Sequence, residues 1–122
     1  MVTTIIVTTN QPIGACESMT IKESRTEDGY SSAKLEVPRM RFSRERIKEA
    51  FERGFFHVAA QKIPLHISVI EDKVEIIRAH NVWITEIAVS FTTDEWIIAE
   101  GIKLECEYIT GTIKSSNDSA ST

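Results

Sequence analysis

The sequence predicts a mainly β protein: two packed antiparallel sheets, arranged as a sandwich or small barrel, with one short flanking α-helix. Apolar residues recur at every second position over much of the chain, which is the period of a half-buried strand. Only one stretch has helical spacing instead. A length of 122 residues supplies one hydrophobic core. Together these observations favour a single β domain with one helix against it.

The alternating segments give six candidate strands, residues 15–21, 34–42, 63–69, 74–79, 83–91 and 102–108. In the second of these the apolar parity changes around Pro38, from Leu35 and Val37 to Met40 and Phe42. Proline cannot donate a ladder hydrogen bond, so this position indicates a bulge or a sheet edge. The inward faces predicted for the other long strands are Ile63, Leu65, Ile67 and Val69; Trp83, Thr85, Ile87, Val89 and Phe91; and Ile102, Leu104, Cys106 and Tyr108.

The predicted helix runs from Ser43 to Arg53. Ser43 is a favourable N-cap, and Gly54 is a favourable residue just past the C-terminus. A narrow apolar stripe at i, i+3 and i+4 would lie against one end of a sheet. The charged face would meet solvent or a neighbouring molecule, and its candidate outer or interface residues are Arg44, Lys48, Glu49 and Glu52.

Composition limits the partners that the chain can have. With 14 basic and 18 acidic side chains the net charge is −4, so the chain is poorly suited to bind nucleic acid by neutralising phosphates. We expect residues 1–110 to form the domain and the small, polar residues 111–122 to form a flexible tail. No signal peptide and no membrane-spanning segment are predicted.

The sequence shows no catalytic, metal or cofactor site. His57, His66 and His80 have no metal-ligand spacing, and the five glycines are isolated rather than grouped in a phosphate-binding loop. Glu105 and Glu107 alternate along one strand face. They could form a general acid/base pair, although a solvated acidic face is the simpler interpretation. We therefore expect a protein that is not an enzyme and has no cofactor.

The two cysteines differ in their predicted surroundings. Cys106 shares a face with Ile102 and Leu104, which favours a packed thiol. Cys16 shares a face with polar residues, so it is either an exposed thiol that can pair with another chain or a partly covered thiol with no role.

Several short segments, in their order along residues 10–110, resemble the tail tube proteins of contractile-tailed bacteriophages. They are NQPIGA (10–15), SMTI (18–21), RMRF (39–42), EAFERGF (49–55), AQKIPLHI (60–67) and WIT (83–85). The resemblance rests on element order and short phrases, and this family has no catalytic residues to transfer. Related tubes occur in type VI secretion systems and tailocins.

The resemblance implies a fold of two antiparallel sheets with a flanking helix, and a homohexameric ring whose rings stack into a tube. The tube conducts DNA without binding it specifically and lies inside a contractile sheath in the virion, after assembly in the host cytoplasm. Its further partners would be baseplate and tail-terminator proteins. Glu105 and Glu107 become candidates for the lumen wall, Cys16 and Cys106 for intermolecular disulfides, and residues 25–32 for an inter-ring loop.

Other interpretations remain open. A tube-like baseplate or tail-terminator protein would use the same fold in a single ring. A small β-barrel that binds an apolar ligand would be a monomer with a ligand-dependent stability. A carboxylate-based hydrolase comes third, because the sequence shows no catalytic constellation.

Overall fold

The computed structural model describes residues 2–25, 27, 31–48, 50–51, 61–91, 93 and 96–111. Over these residues the chain forms seven β-strands and one 3-10 helix, Arg46–Lys48. The strands are β1 (Thr3–Thr8), β2 (Pro12–Cys16), β3 (Thr20–Arg25), β4 (Ser31–Ser43), β5 (Leu65–Glu71), β6 (Val74–Phe91) and β7 (Trp96–Gly111).

Six of the described strands close into a barrel. The order is β2-β1-β5-β6-β7-β4, every neighbouring pair is antiparallel, and β2 pairs with β4 to close the ring. The closing seam is short, with Gly14, Ala15 and Cys16 opposite Phe42, Arg41 and Met40. The seventh strand, β3, lies outside the barrel and pairs with β4 only, from Thr20↔Glu36 to Arg25↔Ser31.

The barrel interior is filled by side chains. Fully buried residues from β4 meet those of β5, β6 and β7, and the prediction for β5 is confirmed because Leu65 and Ile67 are fully buried. Along β4 the buried face changes parity at Pro38, as the sequence predicted. Its partner β7 changes parity at the same level, at Gly101, so both strands bend together. The largest buried side chains are Phe42, Ile13, Leu35, Met40, Leu65, Ile67, Ile84, Ile102 and Leu104.

The inward face predicted for residues 83–91, now part of β6, was wrong in its first half. Val82 and Ile84 face the core, whereas Trp83 and Thr85 are exposed. Asn81 has a positive φ of 54°, and β6 has one more residue than β5 between the pairs Ile67↔Ala79 and Leu65↔Val82. This bulge shifts the alternation of buried and exposed residues by one position. A second irregularity after Ile84 restores the predicted parity, so Ile87 and Val89 pack against the core.

Two further expectations are not confirmed. The described strands form one closed sheet with an attached strand rather than two packed sheets. Ser43 is the last residue of β4 instead of a helix N-cap, because its segment continues the ladder with β7 to Ser43↔Trp96. A short helix is marginal on its own, so strand pairing prevails at this position.

The apolar residues of the predicted helix are nevertheless buried. Ile47, Ala50 and Phe51 belong to the core cluster at the end of the barrel where β4 finishes and β7 begins. The amide groups of Ala50 and Phe51 both donate to the carbonyl of Ile47, which forms a single helical turn. The remainder of the predicted helix, at residues 49 and 52–54, lies outside the described residues.

Candidate interaction surface

Glu105 and Glu107 both lie on the outer face of the barrel, on β7. Glu105 is opposite Lys34 on one side and Trp83 on the other, and Glu107 accepts a hydrogen bond from the side chain of Asn81 at 3.2 Å. The structure therefore brings both carboxylates to one surface beside an exposed tryptophan.

This outer face of the β6–β7 hairpin is rich in aromatic side chains. Trp83 is 42% exposed and Tyr108 is 47% exposed, although the sequence predicted that both face the core. His80 stacks flat on Tyr108 with ring centroids 4.4 Å apart, and it lies edge-on to His66 at 5.8 Å. Tyrosine and tryptophan are enriched at protein interfaces, so this surface can support a protein contact.

His66 belongs to the same surface and is partly covered. Burial lowers the pKa of its ring, and the charges of Arg78 and His80 lower it further. Its Nδ1 atom is buried and has no hydrogen-bond partner in the structure. His80, in contrast, has Nε2 2.8 Å from the hydroxyl of Thr110. No group of three or more His, Cys, Asp or Glu side chains in the described part of the chain could hold a metal ion.

Both thiols are partly buried and free. Cys16 packs against the core and burial raises the pKa of its thiol to about 12, which agrees with the partly covered thiol, one of the two interpretations left open by the sequence. Burial, and then the nearby charge of Glu23, raise the pKa of Cys106. Cys16 is opposite Met40, and the Cys106 thiol contacts the carbonyl of Ala33 at the other end of β4. These β4 positions are roughly 20 Å apart at the rise of a strand, so a bond between the two cysteines of one chain is excluded.

Three stretches of strand edge have no described strand beside them. β5 pairs with β6 only as far as Val82, β4 pairs with β7 only as far as Glu105, and the outer edge of β3 is open. The long β6–β7 hairpin thus extends past its neighbours in both directions. Unpaired edges are templates for pairing with another chain.

Gln61 ends the sheet between β5 and β6. The residue is 6% exposed, and its side-chain amide donates to the carbonyl of Val82 at 2.9 Å and accepts from the amide of Ile84 at 3.0 Å. The side-chain amide thereby takes the place of the backbone N–H and C=O that a neighbouring strand would offer to β6. No sequence pattern indicates this role, because a single glutamine outside the alternating segments has no periodicity.

The predicted interface helix is only partly described. Arg44 precedes the 3-10 helix and Lys48 is its last residue. Both are exposed at the end of the barrel, while Glu49 and Glu52 lie outside the described residues. Close to them, Arg46 donates to the carbonyl of Pro12, and the guanidinium of Arg41 lies 5.3 Å from the centre of the Trp96 ring. The exposed cations at this end give it a local basic character.

Comparison with known proteins gave few matches. No protein-family model matches the sequence, and no curated protein matches it. Among solved structures, the chain is similar to a chain of an extracellular contractile injection system, the PVC sheath-tube complex in its extended state. The identity is 14%, the TM-score is 0.39, and the match covers 88% of this chain and 86% of that chain. None of the helices in the described residues could cross a membrane.

Proposed function

We propose that this chain is a structural virion protein, a subunit of the inner tail tube of a contractile tail. Six copies form a ring, and rings stack around a lumen that conducts DNA. The observation that carries the proposal is the open strand edges on an otherwise closed barrel. The resemblance of residues 10–110 to tail tube proteins supports the same conclusion.

The edges explain why a single copy is incomplete. A closed barrel has no edges to protect, yet β6 continues beyond Ile84 to Phe91 with no described strand on its β5 side. Pairing with a neighbouring copy would satisfy these backbone groups. A heterologous contact of this kind closes into a ring when its rotation permits.

The outer face with Glu105 and Glu107 is the candidate lumen wall. Carboxylates repel DNA phosphates, so a wall that carries them keeps DNA mobile instead of binding it. The basic residues Arg44 and Lys48, together with Glu49 and Glu52, are candidates for contacts with neighbouring subunits or with the sheath. Baseplate and tail-terminator proteins would meet the tube at its two ends.

Electron microscopy of the negatively stained, purified protein tests this function. Stacked rings or tubes are expected, with a hexameric ring as the repeating unit. Particles that stay at one ring would favour a baseplate or tail-terminator protein. A monomer at all concentrations would contradict both the tube subunit and the single-ring protein, and would favour the small ligand-binding barrel. The side chains that fill the barrel interior leave that alternative less suitable.

Two proline variants of β6 test the edge directly. Amide groups alternate in direction along a strand, so one of Ala88 and Val89 directs its N–H toward β7 and the other toward the open edge. Proline at the position whose N–H faces β7 removes a ladder hydrogen bond and should disturb the fold. Proline at the other position should keep the fold and lose assembly. Val89→Ala is the control for lost packing. If both variants fold and assemble like the wild type, the β6 edge does not join subunits.

An intermolecular disulfide through Cys16 or Cys106 remains a separate proposal. Since both thiols are partly buried, such a bond would require a local opening during assembly. Non-reducing electrophoresis of assembled particles, with thiols blocked at lysis, should show a dimer band that Cys16→Ser or Cys106→Ser removes. A monomer band alone would exclude the bond.

A further inference from the structure

The turn between β5 and β6 forms an acidic, apolar tip, defined here as Glu71–Glu75. Glu71 is opposite Val74, so the turn has two central residues, Asp72 and Lys73, both with positive φ. Val74 is 61% exposed at this turn. Three carboxylates and one lysine surround it, and Asp72 is fixed by hydrogen bonds with the backbone of Val2.

A groove crosses the outer face of β1, β2, β4 and β7, from Thr4, whose ladder partner Ile70 directly precedes the tip, to Ser43 and Arg46. Its floor contains Ile6 and Ala15, which are opposite each other in the ladder, and Trp96 lies at its side. Its volume is about 290 Å³. Arg41 and Arg46 line the groove, so it combines an apolar floor with two cations.

The two arginines have no carboxylate partner in the described part of the chain. Arg41 lies over the ring of Trp96, and Arg46 donates one hydrogen bond to the carbonyl of Pro12. The described ion pairs instead join Lys22 to Glu36, Arg78 to Glu75 and Lys103 to Glu86. Guanidinium groups beside an aromatic ring and an apolar floor fit a ligand that offers both a carboxylate and an apolar side chain.

We propose that the tip of one copy docks in the groove of a second copy, head to tail. Val74 lies against the apolar floor, and Glu71 and Glu75 meet Arg41 and Arg46. The two surfaces have opposite charge and share no residue, so the tip of one copy can meet the groove of the next and the contact can repeat from copy to copy. This inference rests on the proposed function, because it names a contact between subunits that such a tube could use for stacking.

A contact of this size is weak by itself. Specific protein–protein interfaces usually bury at least about 1,000 Å², which a five-residue tip does not reach. In a ring, however, several tips would engage the next ring together, and the avidity of linked contacts multiplies their effect. The docking is therefore expected to depend on salt and on prior ring formation.

Charge reversal on each side tests the docking. The tip variant is Glu71→Lys with Glu75→Lys, and the groove variant is Arg41→Glu with Arg46→Glu. Each alone should stack at least about tenfold more weakly in sedimentation velocity, because like charges now face each other. Mixing the two variants should restore stacking, since each supplies the surface that the other lacks. A chain with all four changes should also stack.

The control is Glu17→Lys with Glu100→Lys, which makes the same charge change at two exposed positions outside the tip and the groove. It should stack like the wild type. If a reversed variant does not fold, Val74→Ser removes only the exposed apolar contact and should weaken stacking by itself. If rings form and stack in every variant, or if mixing does not restore stacking, the docking is wrong although the proposed function stands. A wild-type protein that never associates would overturn both the docking and the proposed function.

Discussion

Gln61 shows how one buried side chain decides where a sheet ends. Its amide has a donor and an acceptor in the arrangement of a peptide group, and both are used on β6, at Val82 and Ile84. A sequence pattern cannot reveal such a role, because the glutamine acts through tertiary contacts 21 and 23 residues away. The same reason explains why sequence analysis did not include it among the candidate residues.

Replacing Gln61 with leucine should destabilise the barrel. The substitution keeps the site filled but leaves one buried carbonyl and one buried amide without partners, at a cost of about 2–4 kcal/mol in total. Urea unfolding measures this cost. Gln11→Leu, at an exposed position, is the control and should change the free energy of unfolding by no more than about 0.5 kcal/mol. Equal stability of the two variants would show that Gln61 does not satisfy the β6 edge.

Cys16 should react slowly while the protein is folded. Thiolate is the reactive form, and burial raises the thiol pKa to about 12, so a thiol reagent at pH 8 should modify Cys16 at least about a hundredfold more slowly than in the unfolded chain. The Cys106→Ser variant isolates its signal. Since the folded-state pKa is raised from 9.0, the contribution of Cys16 to stability is full below pH 9.0 and is lost as the pH rises toward 12. Rapid labelling of the folded protein would mean that the thiol is accessible.

Among the strands, the change of buried face in β4 could be predicted because Pro38 marks it, whereas the bulge in β6 could not. β5 matches its prediction because Leu65 and Ile67 alternate without interruption. β6 departs from it because Asn81 adopts a positive φ and adds one residue, which turns Trp83 outward. An asparagine inside an alternating run is the one local signal that could have indicated this bulge, since asparagine tolerates the left-handed region.

The β5–β6 turn should become more stable with glycine at Lys73. A two-residue turn with both central residues at positive φ favours glycine, and lysine at a φ of 71° is strained. Lys73→Gly should therefore raise the free energy of unfolding by about 0.5–1 kcal/mol, as measured by thermal or urea unfolding. Lys103→Gly, within the central strand β7, is the control and should lower it. A loss of stability in both variants would contradict the turn geometry.

For the molecule as a whole, the sequence predicted a mainly β chain that forms a sandwich or a small barrel, but it did not indicate which strands close the barrel. Closure depends on the contact between β2 and β4, which share only three pairs, and the paired residues are 24 to 28 positions apart in the sequence. A short pairing between strands that are distant in the sequence leaves no trace in the periodicity of the apolar residues. The groove was equally hidden, because its lining comes from β1, β2, β4 and β7, which meet only when the barrel closes.

Closure of the barrel should depend on Gly14. A Cβ atom built on Gly14 would collide with the carbonyl oxygen of Arg41, so β2 could not approach β4 as closely. Gly14→Ala should cost about 1–3 kcal/mol, the range for overpacking, and should increase amide hydrogen exchange along the seam. Gly101→Ala is the matched control, because a Cβ at this position meets no other atom. The backbone of Gly101 has a φ of 58°, so the variant should cost only the strain of that conformation, about 1 kcal/mol, and the seam should stay protected from exchange. Since Gly14 and Ala15 also line the groove, an opened seam should weaken head-to-tail stacking as well. An alanine at position 14 that leaves seam exchange unchanged would show that the barrel does not close through this contact.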